Sequence, residues 1–345
     1  VRPNAKLDAY VDSLIEKIAD AQEPDGYLYT WRTIAERRKA DNTWTEADTK
    51  TRNYDWAREE RWTLTDQISH ELYNLGHLYE AAAAHYQATG KRNLLNIAIK
   101  SADLVDKVFG WGKLEKTSGH EEGELGLVKL YLVTGEKRYL DLAKFFLEVR
   151  GYGTPDKAYM QNHQKVTEQT EIVGHSVRAC YLFAGMADVA ALTDNKEYLA
   201  TLERLWKDAV DRKMYITGGI GSTGSNEGFG EPYDLPNFSA YNETCASIAF
   251  VYWNHRMFLL TGEAKYLDVL ERTLYNALNA GLALSGDRFF YPNPLESRKN
   301  VERSPWFSCA CCPSNLARFF PSLPGYVYGK KDNQIFVNLY ANGKA

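Results

Sequence analysis

Apolar residues recur at helical spacing through most of the chain, and a short polar pattern interrupts them four times. The pattern begins with Thr-Gly or Thr-Asp, as in TGEKRYL and TGEAKYL, and its copies start at Thr89, Thr134, Thr193 and Thr261. An apolar stretch precedes each pair, and a second one follows the charged residues after it. Such a pair is typical of a helix C-terminus, and charged residues typically open the next helix. The pattern therefore predicts a unit of helix, tight turn and helix.

The spacing of these turns favours a closed array of helical hairpins. The four copies start 45, 59 and 68 residues apart. Unequal spacing argues against a regular solenoid of the tetratricopeptide kind, whereas an irregular bundle stays as an alternative. We therefore predict an all-α fold, an (α/α)6 barrel of helical hairpins, over residues 1–329.

A clear strand pattern occurs only near the end of the sequence, in DNQIFVNLYANGKA from Asp332. Apolar and polar residues alternate there, as they do in a half-exposed strand. Because a lone strand is not stable, we expect residues 330–345 to be the beginning of a β domain whose remainder lies outside this sequence.

Composition and charge argue against several classes of protein. The 345 residues are 44% hydrophobic and 25% charged, with a formal net charge of -4. This balance is typical of a globular protein with a large core, and it suggests neither nucleic acid nor an anionic membrane as partner. No apolar run approaches the roughly 20 residues that span a bilayer. The first residues, VRPNAKLDAY, lack the apolar region of a signal peptide.

The five cysteines are too few for a disulfide scaffold, and they are placed unevenly. Cys180 lies in an apolar helical pattern and is predicted to be a buried core thiol. Cys245 stands alone before another apolar helix, whereas the segment WFSCACCPSN holds the remaining three, Cys309, Cys311 and Cys312.

Two of these cysteine segments stand at predicted helix entries. Glu243 and Cys245 come just before the apolar stretch ASIAFVYW, and Cys311 and Cys312 come just before SNLARFF. Pro313 suits a first helical position, which makes Cys312 a plausible N-cap. Because the chain still turns at a helix entry, all four side chains could point at one centre.

Three chemical roles compete for the clustered cysteines. A redox site would use the Cys-x-x-Cys formed by Cys309 and Cys312, but the chain shows no thioredoxin-like strand–helix pattern. Inert buried thiols are the second role. A metal site is the third, because Glu243, Cys245, Cys311 and Cys312 offer one carboxylate and three thiolates, and Zn²⁺ takes four such ligands.

The longest irregular segment covers residues 217–247 and is rich in glycine. It contains a GxGxxG sequence from Gly219, but no helical pattern follows, so we do not expect a dinucleotide to bind there. We predict instead a loop that lays Glu227 and Glu231 over a pocket. For Glu231, a solvated position on the loop is preferred.

Six segments, in this order, resemble glycoside hydrolase family 127 and its close relative family 146, the β-L-arabinofuranosidases: GHLYEAA, VGHSVRA, TGGIGST, YDLPN, ETCAS and CCPSNLAR. The resemblance runs from about Gln22 to about Gly329. It implies an (α/α)6 barrel followed by β-sandwich domains. It also implies a retaining glycosidase that contains Zn²⁺.

The resemblance implies a role for each residue of the predicted site. The zinc ligands would be Glu243, Cys245, Cys311 and Cys312. The nucleophile would be Cys311, and the acid/base would be Glu227, sixteen residues before the zinc glutamate. The residues that contact the sugar would be His77, His120, His175, Tyr291 and Gln22.

Two other functions fit parts of the sequence. One is a helical-toroid lyase or epimerase that acts on uronic sugars and holds a structural zinc. The other is a non-catalytic carbohydrate-binding module. The expected partner is an oligosaccharide or glycan substrate, with a possible homodimer and with no nucleic acid or membrane. Reduced metal-bound thiols suit the cytoplasm, whereas a removed signal peptide would indicate a periplasm.

Overall fold

A computed structural model describes residues 4–45, 60–67, 69–152, 157–298 and 301–341. The chain folds into two compact units, Val1–Thr154 and Pro155–Ala345. The described helices of the first unit are α1 (Ala5–Ala21), α2 (Thr30–Ala40), α3 (Glu71–Thr89), α4 (Asn93–Val108), α5 (Gly123–Thr134) and α6 (Lys137–Glu148).

The second unit contains longer loops between its helices. Its α-helices are α7 (Ser176–Thr193), α8 (Lys196–Arg212), α9 (Thr244–Thr261), α10 (Ala264–Thr273), α11 (Cys311–Phe319) and α12 (Pro324–Val327). A π-helical turn, Leu274–Leu278, extends α10, and short 3-10 turns cover Ala158–Met160, Val166–Glu168, Asn279–Gly281 and Phe320–Ser322. The predicted domain boundary after residue 329 stays a prediction.

The four repeated Thr pairs end helices, as the sequence predicted. The residue after each threonine adopts the left-handed conformation, with φ of 73°, 77°, 51° and 77° at Gly90, Gly135, Asp194 and Gly262. Each threonine hydroxyl donates to the carbonyl oxygen four residues earlier, at 2.7–2.9 Å. A left-handed residue stops the helix, and the hydroxyl occupies a carbonyl of the last turn. The predicted helical hairpins are therefore confirmed.

The two helices of each hairpin in the second unit are buried to different extents. Helices α7 and α9 bury 14 of their 18 residues each, so they are enclosed on nearly all sides. Helices α8 and α10 bury 7 of 17 and 4 of 10 residues, which leaves one face in solvent. Helix α9 packs against α7, α10 and α11, and Cys180 of α7 is fully buried as predicted. The pair α7–α9 thus forms the centre of this unit.

A two-stranded antiparallel sheet follows the last helix. Strand β2 (Gln334–Val337) is the strand predicted after Asp332, and it pairs with β1 (Tyr328–Lys331) in the register Tyr328↔Val337. The sequence missed β1 because YGKK does not alternate between apolar and polar residues. The predicted all-α class with a short β element at the end is confirmed. Among the described helices, none combines the length and apolar character needed to cross a membrane.

Two glycines let α3 and α5 approach closely in the first unit. A Cβ atom added to Gly126 would lie 2.4 Å from the carbonyl oxygen of Gly76, and one added to Gly76 would lie 2.6 Å from that of Glu122. Real side chains do not tolerate such distances to backbone atoms, so the helix–helix contact requires glycine at both positions.

We predict that Gly126→Ala destabilises the protein by about 1–3 kcal/mol, because the added methyl group must push the two backbones apart. Urea unfolding monitored by circular dichroism measures the change. Gly325→Ala is the matched control, since a Cβ atom there meets nothing within 4 Å. Equal urea midpoints for the two variants would contradict the close packing of α3 against α5.

Candidate active site and metal centre

Four potential metal ligands meet where two helices of the second unit begin. Glu243 immediately precedes α9, Cys245 lies in its first turn, and Cys311 and Cys312 open α11. The Sγ atoms of Cys245 and Cys312 are 3.4 Å apart, and those of Cys311 and Cys312 are 3.9 Å apart. Oε1 of Glu243 lies 3.7 Å from each of the last two sulfurs. The structure thus brings together all four residues that the sequence singled out.

The donor set of this cluster fits a divalent cation. Glu243 is only 2% exposed, and burial, followed by the charge of Glu227, raises its pKa to about 8. Burial likewise raises the pKa of Cys245 and Cys312. Oε2 of Glu243 has no hydrogen-bond partner among the described residues. A buried carboxylate oxygen beside three sulfurs is costly when ionised, and a cation would offset that cost.

Helix α11 begins two residues earlier than the sequence suggested. Its N-cap is Ala310 and its first residue is Cys311, so the interpretation of Cys312 as N-cap is wrong. Pro313 still fits, because the first N–H groups of a helix have no acceptor within the helix. Both cysteines therefore lie in the first turn, where the helix dipole favours thiolate. Cys309 lies before the helix and is exposed.

A buried tyrosine of α7 holds α11 in place. The hydroxyl of Tyr181 accepts hydrogen bonds from Asn315 Nδ2 and Arg318 Nη2, both at 2.8 Å. Tyr181 is 1% exposed, so these bonds are shielded from water. These contacts further along α11 therefore also help to fix the position of the Cys311–Cys312 turn.

The predicted acid/base, Glu227, lies on a tight hairpin of the Gly-rich segment. Thr223 and Gly228 exchange both backbone hydrogen bonds at 3.1 Å, and Glu227 has a left-handed φ of 51°. The hairpin rests on the start of α7, because Phe229 N donates to Gly174 O and Ser176 N donates to Glu227 O. The loop therefore projects the Glu227 side chain at a fixed position.

Three donors surround the Glu227 carboxylate. Oε1 accepts from the hydroxyl of Tyr241 at 2.8 Å, and Oε2 accepts from the hydroxyl of Tyr159 at 3.0 Å. His175 Nε2 lies 3.2 Å from Oε2. These bonds, that of His175 first, lower the pKa of Glu227 to about 2. The carboxylate is therefore held ionised at neutral pH.

The tautomer of His175 follows from its backbone contact. Nδ1 accepts a hydrogen bond from Val177 N at 3.1 Å, so it carries no proton. Burial lowers the pKa of His175, which keeps the ring neutral. The one remaining proton then lies on Nε2 and faces Glu227.

The predicted sugar ligand Tyr291 lies beside the Glu243–cysteine cluster. Its carbonyl oxygen accepts from Thr244 N, the first residue of α9, at 3.1 Å. Burial, followed by the charges of Glu243 and Cys311, raises the pKa of its phenol. Tyr291 is therefore a neutral hydrogen-bond donor next to Cys311.

Three predicted sugar ligands belong to the first unit. His77 Nδ1 lies 3.3 Å from Oε1 of the fully buried Glu122. The ring of Tyr73 packs between His77 and His120, at centroid distances of 4.4 Å and 4.1 Å. Gln22 Nε2 donates to the carbonyl oxygens of Gly26 and Ile97, at 3.1 Å and 3.0 Å. The two histidines thus share one aromatic cluster, whereas the amide nitrogen of Gln22 binds backbone.

The remaining features of the loop agree with their sequence interpretation. Residues 217–243, all of which the structure describes, contain no helix after the GxGxxG glycines. A dinucleotide fingerprint requires such a helix, so this GxGxxG sequence does not form that fingerprint. Glu231 is exposed, as preferred from the sequence.

Sequence reasoning missed Tyr159 and Tyr241, the two phenols that bind Glu227. Tyr241 stands two residues before Glu243, and that proximity to the cysteine motif could have drawn attention to it. Tyr159 lies 68 residues before Glu227 in a short 3-10 turn, with no pattern around it. Only the folded structure brings it to the site.

Comparisons with known proteins agree on one family. A model of the beta-L-arabinofuranosidase GH127 catalytic domain matches residues 1–325. The chain is 39% identical over 364 aligned residues to a non-reducing end beta-L-arabinofuranosidase of Bifidobacterium longum subsp. longum, covering 96% of this chain and 53% of that protein.

Two solved structures share its fold. The GH127 beta-arabinofuranosidase BT3674 is 53% identical with a TM-score of 0.90, over 98% of this chain and 51% of its own. The GH127 beta-L-arabinofuranosidase Ara127N of Geobacillus stearothermophilus T6 is 40% identical with a TM-score of 0.88, over 98% and 55%. The chain thus spans about half the length of these relatives. By sequence and by fold, it belongs to the GH127 family and corresponds to its catalytic domain.

Proposed function

We propose that this chain carries the active site of a retaining glycoside hydrolase that releases terminal β-L-arabinofuranose from a glycan. Cys311 is the nucleophile, and Glu227 is the acid/base. The observation that carries the proposal is the pairing of a buried Glu243–cysteine cluster with a separately held carboxylate in one unit. The relatives named as β-L-arabinofuranosidases supply the substrate class.

Glu243, Cys245, Cys311 and Cys312 would hold Zn²⁺, whose ligand preferences match three thiolates and one carboxylate. When bound, Zn²⁺ would keep the thiols ionised at neutral pH. The ligand set is rich in negative charge, which preserves electron density on the sulfur of Cys311. The glutamate and thiols would otherwise stay protonated, because burial raises the pKa of Glu243 and Cys245.

The reaction has two steps in this mechanism. In the first, Cys311 Sγ attacks the anomeric carbon while the leaving oxygen takes a proton from Glu227. In the second, Glu227 takes a proton from water, the water oxygen attacks the anomeric carbon, and the carbon–sulfur bond breaks. Two displacements at one carbon give net retention.

The surroundings of Glu227 favour its ionised form, which the second step needs. The pKa of about 2 applies while Tyr159, Tyr241 and His175 all donate to the carboxylate. The first step needs the protonated form, so at least one donor must turn away as the leaving oxygen takes its place. His175 would also orient the sugar, together with Tyr291, His77, His120 and Gln22. The cytoplasmic location and the possible homodimer stay predictions.

We predict that the protein purified without chelator contains about one equivalent of zinc per chain, because the four residues form one compact donor set. Elemental analysis measures it. Chelation should lower the melting temperature and expose additional thiols to a thiol reagent. Absence of any transition metal, together with a disulfide between Cys309 and Cys312, would refute the metal site and support the redox role.

We predict that Cys311→Ser lowers turnover of an aryl β-L-arabinofuranoside by on the order of 10³-fold or more, because a hydroxyl is a far weaker nucleophile. Zinc content must be measured in parallel, since a ligand is also lost. Cys309→Ser is the control, because this exposed thiol is not one of the four ligands and its loss should leave the zinc bound. Full activity of Cys311→Ser would instead favour a lyase or epimerase with a structural zinc. Glycan binding without turnover in the unaltered protein would favour a binding module.

We predict that Glu227→Gln lowers activity on an alkyl leaving group by about 10²–10⁴-fold, because that oxygen must be protonated to leave. A nitrophenyl leaving group departs without help, so a sugar–Cys311 adduct should accumulate and appear as a mass increase. Azide should restore turnover, since it needs no base. Glu231→Gln, on the same loop and exposed, should retain activity. If Glu231→Gln loses more activity than Glu227→Gln, the assignment of Glu227 as acid/base is wrong.

A further inference from the structure

Two residues at the start of α7 contact the phenol ring of Tyr159. The ring of His175 meets it edge to face, at a centroid distance of 5.2 Å and an angle of 77°. The guanidinium carbon of Arg178 lies 4.7 Å from the ring centroid. The hydroxyl then reaches Oε2 of Glu227 at 3.0 Å. The orientation of this phenol is therefore determined by the same helix turn that supports the Glu227 hairpin.

Arg178 contacts this ring in an unusual setting for an arginine. It is 4% exposed, and its Nε and Nη1 atoms have no hydrogen-bond partner among the described residues. Among the residues that the structure describes, no carboxylate pairs with it. A buried guanidinium of that kind is costly, and its contact with the aromatic face of Tyr159 helps to stabilise it. Its positive charge also opposes the effect of burial on Tyr159, whose pKa is raised to about 12. The phenol thereby becomes a stronger donor to an anion.

The two oxygens of Glu227 are not equivalent. Oε2 lies beside two donors, Tyr159 and His175, which Arg178 and the start of α7 hold in place. Among the described residues, Oε1 accepts from Tyr241 alone. The oxygen with a single donor is released at a lower cost, so a substrate oxygen competes more easily for Oε1.

We propose that Tyr159, held by Arg178, is a positioning residue that anchors Oε2 of Glu227 and leaves Oε1 to exchange the proton with the substrate. This inference rests on the proposed function, in which Glu227 is the acid/base. In the first step the proton on Oε1 passes to the leaving oxygen as the glycosidic bond breaks, and Tyr241 turns away. In the second step Oε1 accepts a proton from water. Tyr159 keeps the carboxylate oriented throughout and exchanges no proton.

Charged and titratable groups around Glu227 influence its pKa and therefore the pH dependence of the reaction. His175 and Arg178 approach from α7, Tyr159 from its 3-10 turn, and Tyr241 and Glu243 from the segment before α9. Removing a donor to the ionised form raises the pKa of Glu227. The first step requires protonated Glu227, so the alkaline limb of kcat/KM then moves to higher pH.

The test is a double-mutant cycle of Tyr159→Phe and Glu227→Gln on an alkyl β-L-arabinofuranoside. Tyr159→Phe alone should lower the maximal kcat/KM by about tenfold, because the carboxylate loses its anchor. It should also raise, by about one unit, the pH at which kcat/KM falls on the alkaline side. In the Glu227→Gln background the same change should alter kcat/KM by less than about twofold, because the two residues act as a unit. Tyr233→Phe is the matched control: Tyr233 is 72% exposed, and its replacement should move neither quantity.

A second measurement follows the titration of the Glu227 carboxylate directly by NMR. In protein labelled with ¹³C at the glutamate carboxyl carbons, the resonance absent from Glu227→Gln is that of Glu227. The pKa of Glu227 obtained from this resonance should be about one unit higher in Tyr159→Phe than in the unaltered protein. Arg178→Met should cause a smaller upward shift and should add nothing in the Tyr159→Phe background.

Two results would overturn the inference in distinguishable ways. In the first, Glu227→Gln is damaging, but Tyr159→Phe lowers kcat/KM equally in the unaltered protein and in the Glu227→Gln variant. If Tyr159→Phe also leaves the alkaline limb of the pH profile and the titration of the Glu227 resonance unchanged, Tyr159 is only structural. If Glu227→Gln itself leaves activity on the alkyl substrate intact, the acid/base assignment fails, and the positioning role fails with it.

Discussion

The burial of Glu243 among three cysteine sulfurs constrains the second unit more than any other interaction. It requires the first turns of α9 and α11 to meet within a few ångströms, although 67 residues separate Cys245 from Cys312. Independent contacts hold both helix starts in place. Thr244 binds the carbonyl oxygens of Phe290 and Tyr291 at the start of α9, and Tyr181 of α7 binds α11 through two donors. The cluster is thus assembled by surrounding packing, and a cation would relieve the electrostatic cost that this packing creates.

Glu227, the proposed acid/base, depends on the same framework. The start of α7 provides His175 and supports the hairpin that carries Glu227, while α7 itself packs against α9. The two sites also interact through charge, because Glu227 contributes to the raised pKa of Glu243, and Glu243 contributes to the raised pKa of Tyr241. Adding a positive charge at the cluster would therefore change the titration of the acid/base network. The proposed nucleophile and the proposed acid/base are chemically separate but electrostatically coupled.

The first unit contributes a different kind of chemistry. Arg150 is fully buried and pairs with Glu121 at 2.8 Å and with Glu124 at 2.9 Å, next to the Glu122 that contacts His77. Such a buried ionic network fixes side-chain orientation more than it adds stability. The family match over residues 1–325 includes these residues and every predicted ligand of the sugar and the metal.

The features that neighbouring residues encode could be predicted from the amino-acid sequence. The Thr-Gly and Thr-Asp pairs fixed the helix ends, because a left-handed residue and a threonine hydroxyl act within one turn. The cysteine segments ETCAS and CCP fixed the donor chemistry, because few roles suit so many thiols beside a carboxylate. The tertiary structure alone decided that Tyr159 and Tyr241 hold Glu227, that Gln22 turns its amide nitrogen to backbone carbonyls, and that β1 pairs with β2. These contacts depend on which surfaces pack together, and no local periodicity records that choice.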